Sequence, residues 1–180
     1  MPIGCHGEAL DFLRTRHYAA GCSNTSTFRY GLYRSDSLPM LGVLWGVAVW
    51  IPPTRGAAVT VLPDNPDGVL CLSRLCIDSC APANAASFLL GRSMKLVDRT
   101  RYPALLTYAD TGRGHSGAIY RATNWQEIGA VAAGDTWIDS QGVQRGRKRG
   151  GITLTRDEMI AQGLTRLPQL PKIKFVHCIK

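Results

Sequence analysis

Val69-Leu-Cys-Leu-Ser-Arg-Leu-Cys-Ile77 is the stretch from which the fold is read. It is nearly all apolar, and a run that is apolar on both faces suits an interior strand of a sheet covered on both sides. Asp78 to Ala81 then turns, Pro82 suits the first position of a helix, and Ala86, Leu89, Leu90, Met94 and Val97 recur at helical spacing through Asp98. Ala104-Leu-Leu-Thr-Tyr108 reads as a strand again. Strand, helix and strand make a βαβ unit, so a parallel pair with a right-handed crossover is expected.

Upstream, Glu8 to Arg16 places Leu10, Phe12 and Leu13 on one face of a short amphipathic helix that ends at His17-Tyr18 and is broken by Ala19-Ala-Gly21. Ser26 to Arg34 and Met40 to Ile51 alternate as strands, and Ser35 to Pro39 between them suggests an antiparallel hairpin. Thr54 to Gly68 reads as a loop or weak strand. Downstream of Tyr108, the chain delivers Asp110, loops through Gly112 and Gly114 to His115, and makes a helical turn or two between Ser116 and Thr123. Next come a strand around Trp125 to Ala132, a hairpin return at Thr136-Trp-Ile138, a basic loop, a last strand at Gly151 to Thr155 and a short helix from Arg156 to Gln162. The expected class is α+β, a mixed but mostly antiparallel sheet flanked by helices.

With 180 residues, 45% hydrophobic and 19% charged, the chain is expected to form one domain over residues 1–180 with a core of its own. The longest apolar run, Leu38 to Ile51, is too short to span a bilayer and is broken by Pro39, Gly42 and Gly46, and no basic-then-apolar leader opens the sequence. That points to the cytosol. The six cysteines, Cys5, Cys22, Cys71, Cys76, Cys80 and Cys178, form no Cys-x-x-Cys pair, so reduced thiols are expected rather than zinc or disulfides. Lys and Arg total 21 against 13 Asp and Glu, a formal charge of +8. Arg145, Arg147, Lys148 and Arg149 lie in a glycine-flanked stretch at 145–151, and Arg166, Lys172, Lys174 and Lys180 form a basic C-terminal tail. Clustered cations among flexible glycines suit a phosphate backbone, so a nucleic acid is the expected partner.

The chemistry is expected at the strand-loop-helix junction after Tyr108, where Asp110 and His115 share one turn; such junctions commonly carry reactive groups in open α/β sheets. Asp110 suits a plain turn as well. The element order resembles the GNAT acyltransferase superfamily. His17-Tyr18 after the first helix, Leu72-Ser-Arg-Leu75, Asn84-Ala-Ala-Ser87, Tyr108-Ala-Asp110 with Gly114-His115, and Ile119-Tyr-Arg-Ala-Thr-Asn-Trp125 narrow the resemblance to the bacteriophage Mom DNA-modification proteins. That resemblance implies an enzyme of the infected bacterial cytoplasm that adds a carbamoylmethyl group, resembling glycinamide, to adenine N6 and so protects DNA from host restriction. It implies iron(II) held by His17, with Tyr18 and Asp110 as further metal or catalytic residues, Ser93 matched to a serine linked to activity, and His115 matched without an assigned role. Imidazole and carboxylate are suitable ligands for an iron(II) site that keeps positions open. Tyr18 would either ligate or move a proton.

One departure bears on the donor. GNAT acetyltransferases cradle the CoA pyrophosphate on a glycine-rich loop at a helix N-terminus, whereas Asp78-Ser-Cys-Ala-Pro-Ala-Asn84 contains no glycine and begins with a carboxylate. Acetyl-CoA is therefore not favoured, and Asn84 and Ser87 are the candidates for a smaller donor. The alternatives are an acetyl-CoA-dependent acyltransferase acting on an amine of a modified base, and a non-enzymatic basic DNA-binding module. A homodimer is compatible with either.

Overall fold

A computed structural model describes residues 6–18, 26–34, 42–167 and 170–178. The Ala19–Gly21 break, the Ser35–Pro39 turn, Cys5, Cys22 and Lys180 lie outside the described residues. The elements in chain order are α1 (His6–Arg16), β1 (Phe28–Tyr33), β2 (Leu44–Ile51), α2 (Arg55–Val59), β3 (Val69–Ile77), α3 (Ala85–Leu96), β4 (Ala104–Asp110), α4 (Ala118–Ala122), β5 (Gln126–Val131), β6 (Thr136–Ile138), β7 (Gln144–Arg145), β8 (Lys148–Arg149), β9 (Ile152–Thr153), α5 (Arg156–Ala161), β10 (Thr165–Leu167) and β11 (Lys172–Cys178). Contacts gather in two units, where length alone suggests one domain. The first takes the chain to Tyr108, Gly117–Gly129 and the chain from Lys174; the second takes Ala109–Ser116 and Ala130–Ile173.

The first unit is built on a six-stranded sheet of order β1-β2-β3-β4-β11-β5. β3 covers the stretch expected to be interior and stands third of six. β1, β2 and β3 are antiparallel in succession, and β3 pairs parallel with β4, as the βαβ reading requires. Arg74 faces Val49 and Leu72 faces Trp50, so Ser73 is the extra residue of a β-bulge. Ala9, Phe12 and Leu13 of α1 pack on Val47, Val49 and Cys76. Farther along the sheet, Ala58 of α2 packs with Val69, Cys71, Ala104, Leu106 and Val176. Residues of opposite parity carry α3: a Cβ on Gly46 would come within 3.2 Å of Leu89. Trp50 and Trp125 stack at 6.4 Å on that face.

The second unit pairs β10, β6 and β7 in one small sheet and β8 with β9 in a hairpin. Trp137, Met159 and Leu164 form its core, with Leu154 against them. α5 begins on a capping box, in which Thr155 accepts from Glu158 N–H and the Glu158 carboxylate accepts from Thr155 N–H. Gly150 and Gly151 turn the hairpin with φ of 56° and 88°, angles that suit a two-residue loop and that side-chain-bearing residues rarely adopt.

Five expectations are corrected. The Thr54–Gly68 segment carries α2 and a 3-10 turn (Pro66–Gly68); five residues are too few for a helical period to show. α3 begins at Ala85, because Pro82 sits in the preceding turn, where its carbonyl accepts from Ala85 N–H. Thr136–Ile138 pairs with β7 and β10 and does not return along β5. The stretch 145–151 is not loop throughout: it holds the end of β7 and the β8 strand of the hairpin, with turn residues between and after them. The basic tail contains a strand, β11, inserted between β4 and β5. Its lysines hid it: Lys174 is 7% exposed, and its ammonium donates to Thr60 Oγ1 at 2.6 Å.

Candidate active site

β3 and β4 lie side by side only over their first residues, from Val69 opposite Ala104 to Cys71 opposite Leu106. β3 continues to Ile77 and β4 to Asp110, so the strands part. Backbone groups freed where a ladder ends need other partners. Thr107 supplies one, since its buried hydroxyl donates to the Leu72 carbonyl at 3.2 Å, one residue before the Ser73 bulge.

Tyr120 of α4 closes on this point, its phenol near enough to Thr107 for that hydroxyl to lower its pKa. Its ring packs against Phe175 at 5.2 Å and Trp125 at 5.8 Å. Burial first, and then the neighbourhood of Cys71 and Tyr18, raise the Tyr120 phenol above its ordinary range against the lowering effect of Thr107. It keeps its proton at neutral pH and serves as a donor, not as a base. Cys71 is no nucleophile either: burial pushes its thiol up to about 12 despite Arg74. Tyr18 approaches from the chain after α1, with its ring 45% exposed and stacked on His17 at 4.4 Å and 28°. The result is an exposed phenol and a half-buried imidazole near the buried Thr107 hydroxyl and the half-buried Tyr120 where the strands part.

The residues singled out from sequence separate into several places. His17 and Tyr18 are together in the first unit. Asp110 and His115 belong to the second unit, where Asp110 caps the 3-10 turn Thr111–Arg113. One Asp110 oxygen accepts from Gly112 N–H at 3.1 Å and the other lies 3.2 Å from Lys172 Nζ, while His115 N–H donates to the Asp110 carbonyl. Ser93 is fully buried, its hydroxyl donating to Leu90 O at 2.9 Å within α3. Asn84 precedes α3 with no side-chain cap bond, and Ser87 donates to its carbonyl. Asp78 is held below the usual carboxylate range by Cys80 N–H and by Arg16 at 2.5 Å, so its charge is already engaged.

The basic stretch is also engaged. Arg145 pairs with Asp139 at 2.6 Å, Arg147 lies 3.9 Å from Asp135 and donates to Leu154 O, and Arg166 pairs with Asp135 at 2.9 Å. Lys148 is exposed. Among the described residues, no three His, Cys, Asp or Glu side chains cluster as a metal centre would require. Cys71 and Cys76 are buried free thiols, as expected, and Cys80 and Cys178 are exposed and free. Sequence reasoning did not single out Thr107 or Tyr120 as site residues. Tyr120 lay inside the Ile119–Trp125 pattern, but nothing in Thr107's neighbourhood marks where two strands separate.

Solved structures place this architecture in the GNAT acyltransferase fold. The chain superposes on an N-acetyltransferase from Staphylococcus aureus Mu50 with a TM-score of 0.57 at 12% identity, covering 100% of this chain and 98% of that one. It superposes on FeeM, an N-acyl amino acid synthase from uncultured soil microbes, at 0.55 and 10% identity over 99% and 93% of the two chains. The chain belongs to the Mom protein family, whose sequence model matches residues 4–157. It is 28% identical over 154 residues to the methylcarbamoylase Mom of Escherichia phage Mu, an alignment covering 79% of this chain and 61% of that protein. The chain thus spans about three-fifths of the length of that curated relative.

Proposed function

We propose that the chain is a phage DNA-modification enzyme that transfers a small carbamoylmethyl group to a nucleobase of double-stranded DNA, adenine N6 being the acceptor, and so shields the DNA from restriction in the host cytoplasm. The observation that carries this reading is the Tyr18, Thr107 and Tyr120 cluster at the parting of β3 and β4 in a Mom-family chain. A carbamoylmethyl group joins the amine through its methylene carbon, and a hydroxyl donor held toward its amide oxygen would orient and polarise it. Tyr120, protonated beside Thr107, would supply that donor. A base that reacts at its exocyclic amine must leave the duplex stack, and the exposed face of the Tyr18–His17 pair offers it a surface.

Iron(II) in this reading would be held by His17 and Tyr18 and would supply a Lewis acid with open positions. Lys148 and its neighbours in the second unit take phosphates. Asn84 and Ser87 are assigned to the donor, in a junction where Asp78 is already neutralised by Arg16. Acetyl-CoA remains the competing donor because the fold is shared with acetyltransferases, one of them from Bacillus subtilis with CoA bound (TM-score 0.54, 8% identity, covering 99% of this chain and 95% of that one).

Mass spectrometry of nucleosides from DNA of cells expressing the chain tests the proposal. A new nucleoside that disappears in His17→Ala and Asp110→Ala, and falls at least about tenfold in Tyr120→Phe, supports it, and its mass identifies the group. Ordinary nucleosides from both cellular and phage DNA would sink it.

A further inference from the structure

At the opposite end of the parallel pair from the parted strands lies a cavity of about 880 Å³, walled by the last turns of α3, the turn after α4 and the end of β11. Its polar lining is Lys95, Arg99, Asn124 and His177, with Met94 and Cys178 beside them. Arg99 is the centre of the arrangement. One of its terminal nitrogens donates to Pro103 O at 3.1 Å and His177 O at 3.2 Å and lies 3.5 Å from His177 Nδ1. These bonds tie the start of β4 to the end of β11. The other terminal nitrogen is buried and has no hydrogen-bond partner among the described residues.

Among the described residues, no carboxylate lines this cavity. The acids nearest in sequence are committed elsewhere: Asp98 accepts from Thr100 and Arg101 N–H, and Glu127 pairs with Arg121 at 2.5 Å. A buried cation without a counter-charge is costly. The strain shows in two neighbours. Burial lowers the Arg99 guanidinium, and burial together with Arg99 lowers His177, which keeps that ring neutral and able to accept from Arg99. Trp125 braces the ring edge-on at 5.8 Å. Asn124 holds φ of 63°, and among the described residues it is the only non-glycine with positive φ. Asparagine tolerates that region better than most residues, and the conformation leaves its amide at the cavity wall.

We propose that this cavity is an anion site that takes a phosphate group, with Arg99 and Lys95 supplying charge and Asn124 a neutral donor. Two cations and an amide beside one concave wall suit a group with several acceptor oxygens, and the apolar part of that wall suits the organic part that carries it. The phosphate belongs either to a small phosphorylated molecule or to the nucleic-acid backbone. The site stands on its own geometry and does not depend on the transfer reaction proposed above.

Calorimetric titration with inorganic phosphate, adenosine 5′-monophosphate and adenosine tests the proposal, with Trp125 fluorescence as a second readout. Phosphate and the monophosphate should bind saturably at millimolar concentration or better, and adenosine should not. Arg99 ties two strands and its variants risk misfolding, so the decisive variants are Lys95→Glu and Asn124→Gly, glycine being at ease at this φ. Each should weaken phosphate binding by about tenfold or more, with the far-UV spectrum unchanged. A short DNA duplex that displaces phosphate from the cavity identifies the backbone as the source, and a duplex that does not identifies the small molecule. Absence of saturable phosphate binding, or binding indifferent to both variants, overturns the site.

Discussion

Arg99 and the arginines of the 145–166 region are alike in charge and opposite in circumstance. Arg145 and Arg166 are about half exposed and lie within 3 Å of Asp139 and Asp135. Arg99 is partly buried, bonds two backbone carbonyls and faces a cavity with no acid. Within the clustered cations Arg145, Arg147 and Arg166 are therefore already balanced by acids, while Arg99, with no acid against it among the described residues, lies in a stretch, Asp98 to Arg101, that no charge count distinguishes.

The sharpest way to break this comparison is truncation. Arg99→Met should cost about 2–3 kcal/mol in urea unfolding, because it strands two carbonyls, whereas Arg145→Met should stay within about 1 kcal/mol, as exposed pairs do. Equal costs would erase the distinction. Next, Asp135→Asn frees Arg166 and Arg147, and duplex DNA should then bind about twofold to fivefold more tightly with a steeper salt dependence; unchanged binding would show that these arginines do not face DNA. A third test uses pH. Asp139 is held below the carboxylate range chiefly by Val143 N–H, and further by Arg145 and Gln141 N–H. A depressed pKa contributes stability that is full above the unfolded value of 3.8 and is lost as pH falls through the folded one. The melting temperatures of wild type and Asp139→Asn should therefore converge only in that acid range. The smallest effect is expected at the α5 cap, where Thr155→Ala should cost about 1 kcal/mol; a larger loss would mean that the cap carries more of the second unit than its exposed position suggests.

Much of the first unit was legible in sequence. The β3, α3 and β4 readings depend on local periodicity, and the observed elements agree within a few residues. β11 was not, because Lys172 and Lys174 were read as part of a basic tail although Lys172-Ile-Lys-Phe175 alternates, and only contact with Thr60 explains a buried lysine in that place. The site was legible in part. His17 and Tyr18 stood out through the family pattern, and they stack on each other. Thr107 and Tyr120 did not, since a threonine in an apolar strand gains its role from the neighbouring strand's departure.

The sequence by itself determined the crossover unit, the Mom-family membership and the net positive charge, because each is a property of neighbouring residues or of composition. Only the tertiary structure decided where β11 enters the sheet, where β3 and β4 part, and which arginines have an acid beside them. Those outcomes depend on pairings between residues far apart in the chain, and strand register and ion pairing are settled by which groups folding brings within a few ångströms of each other.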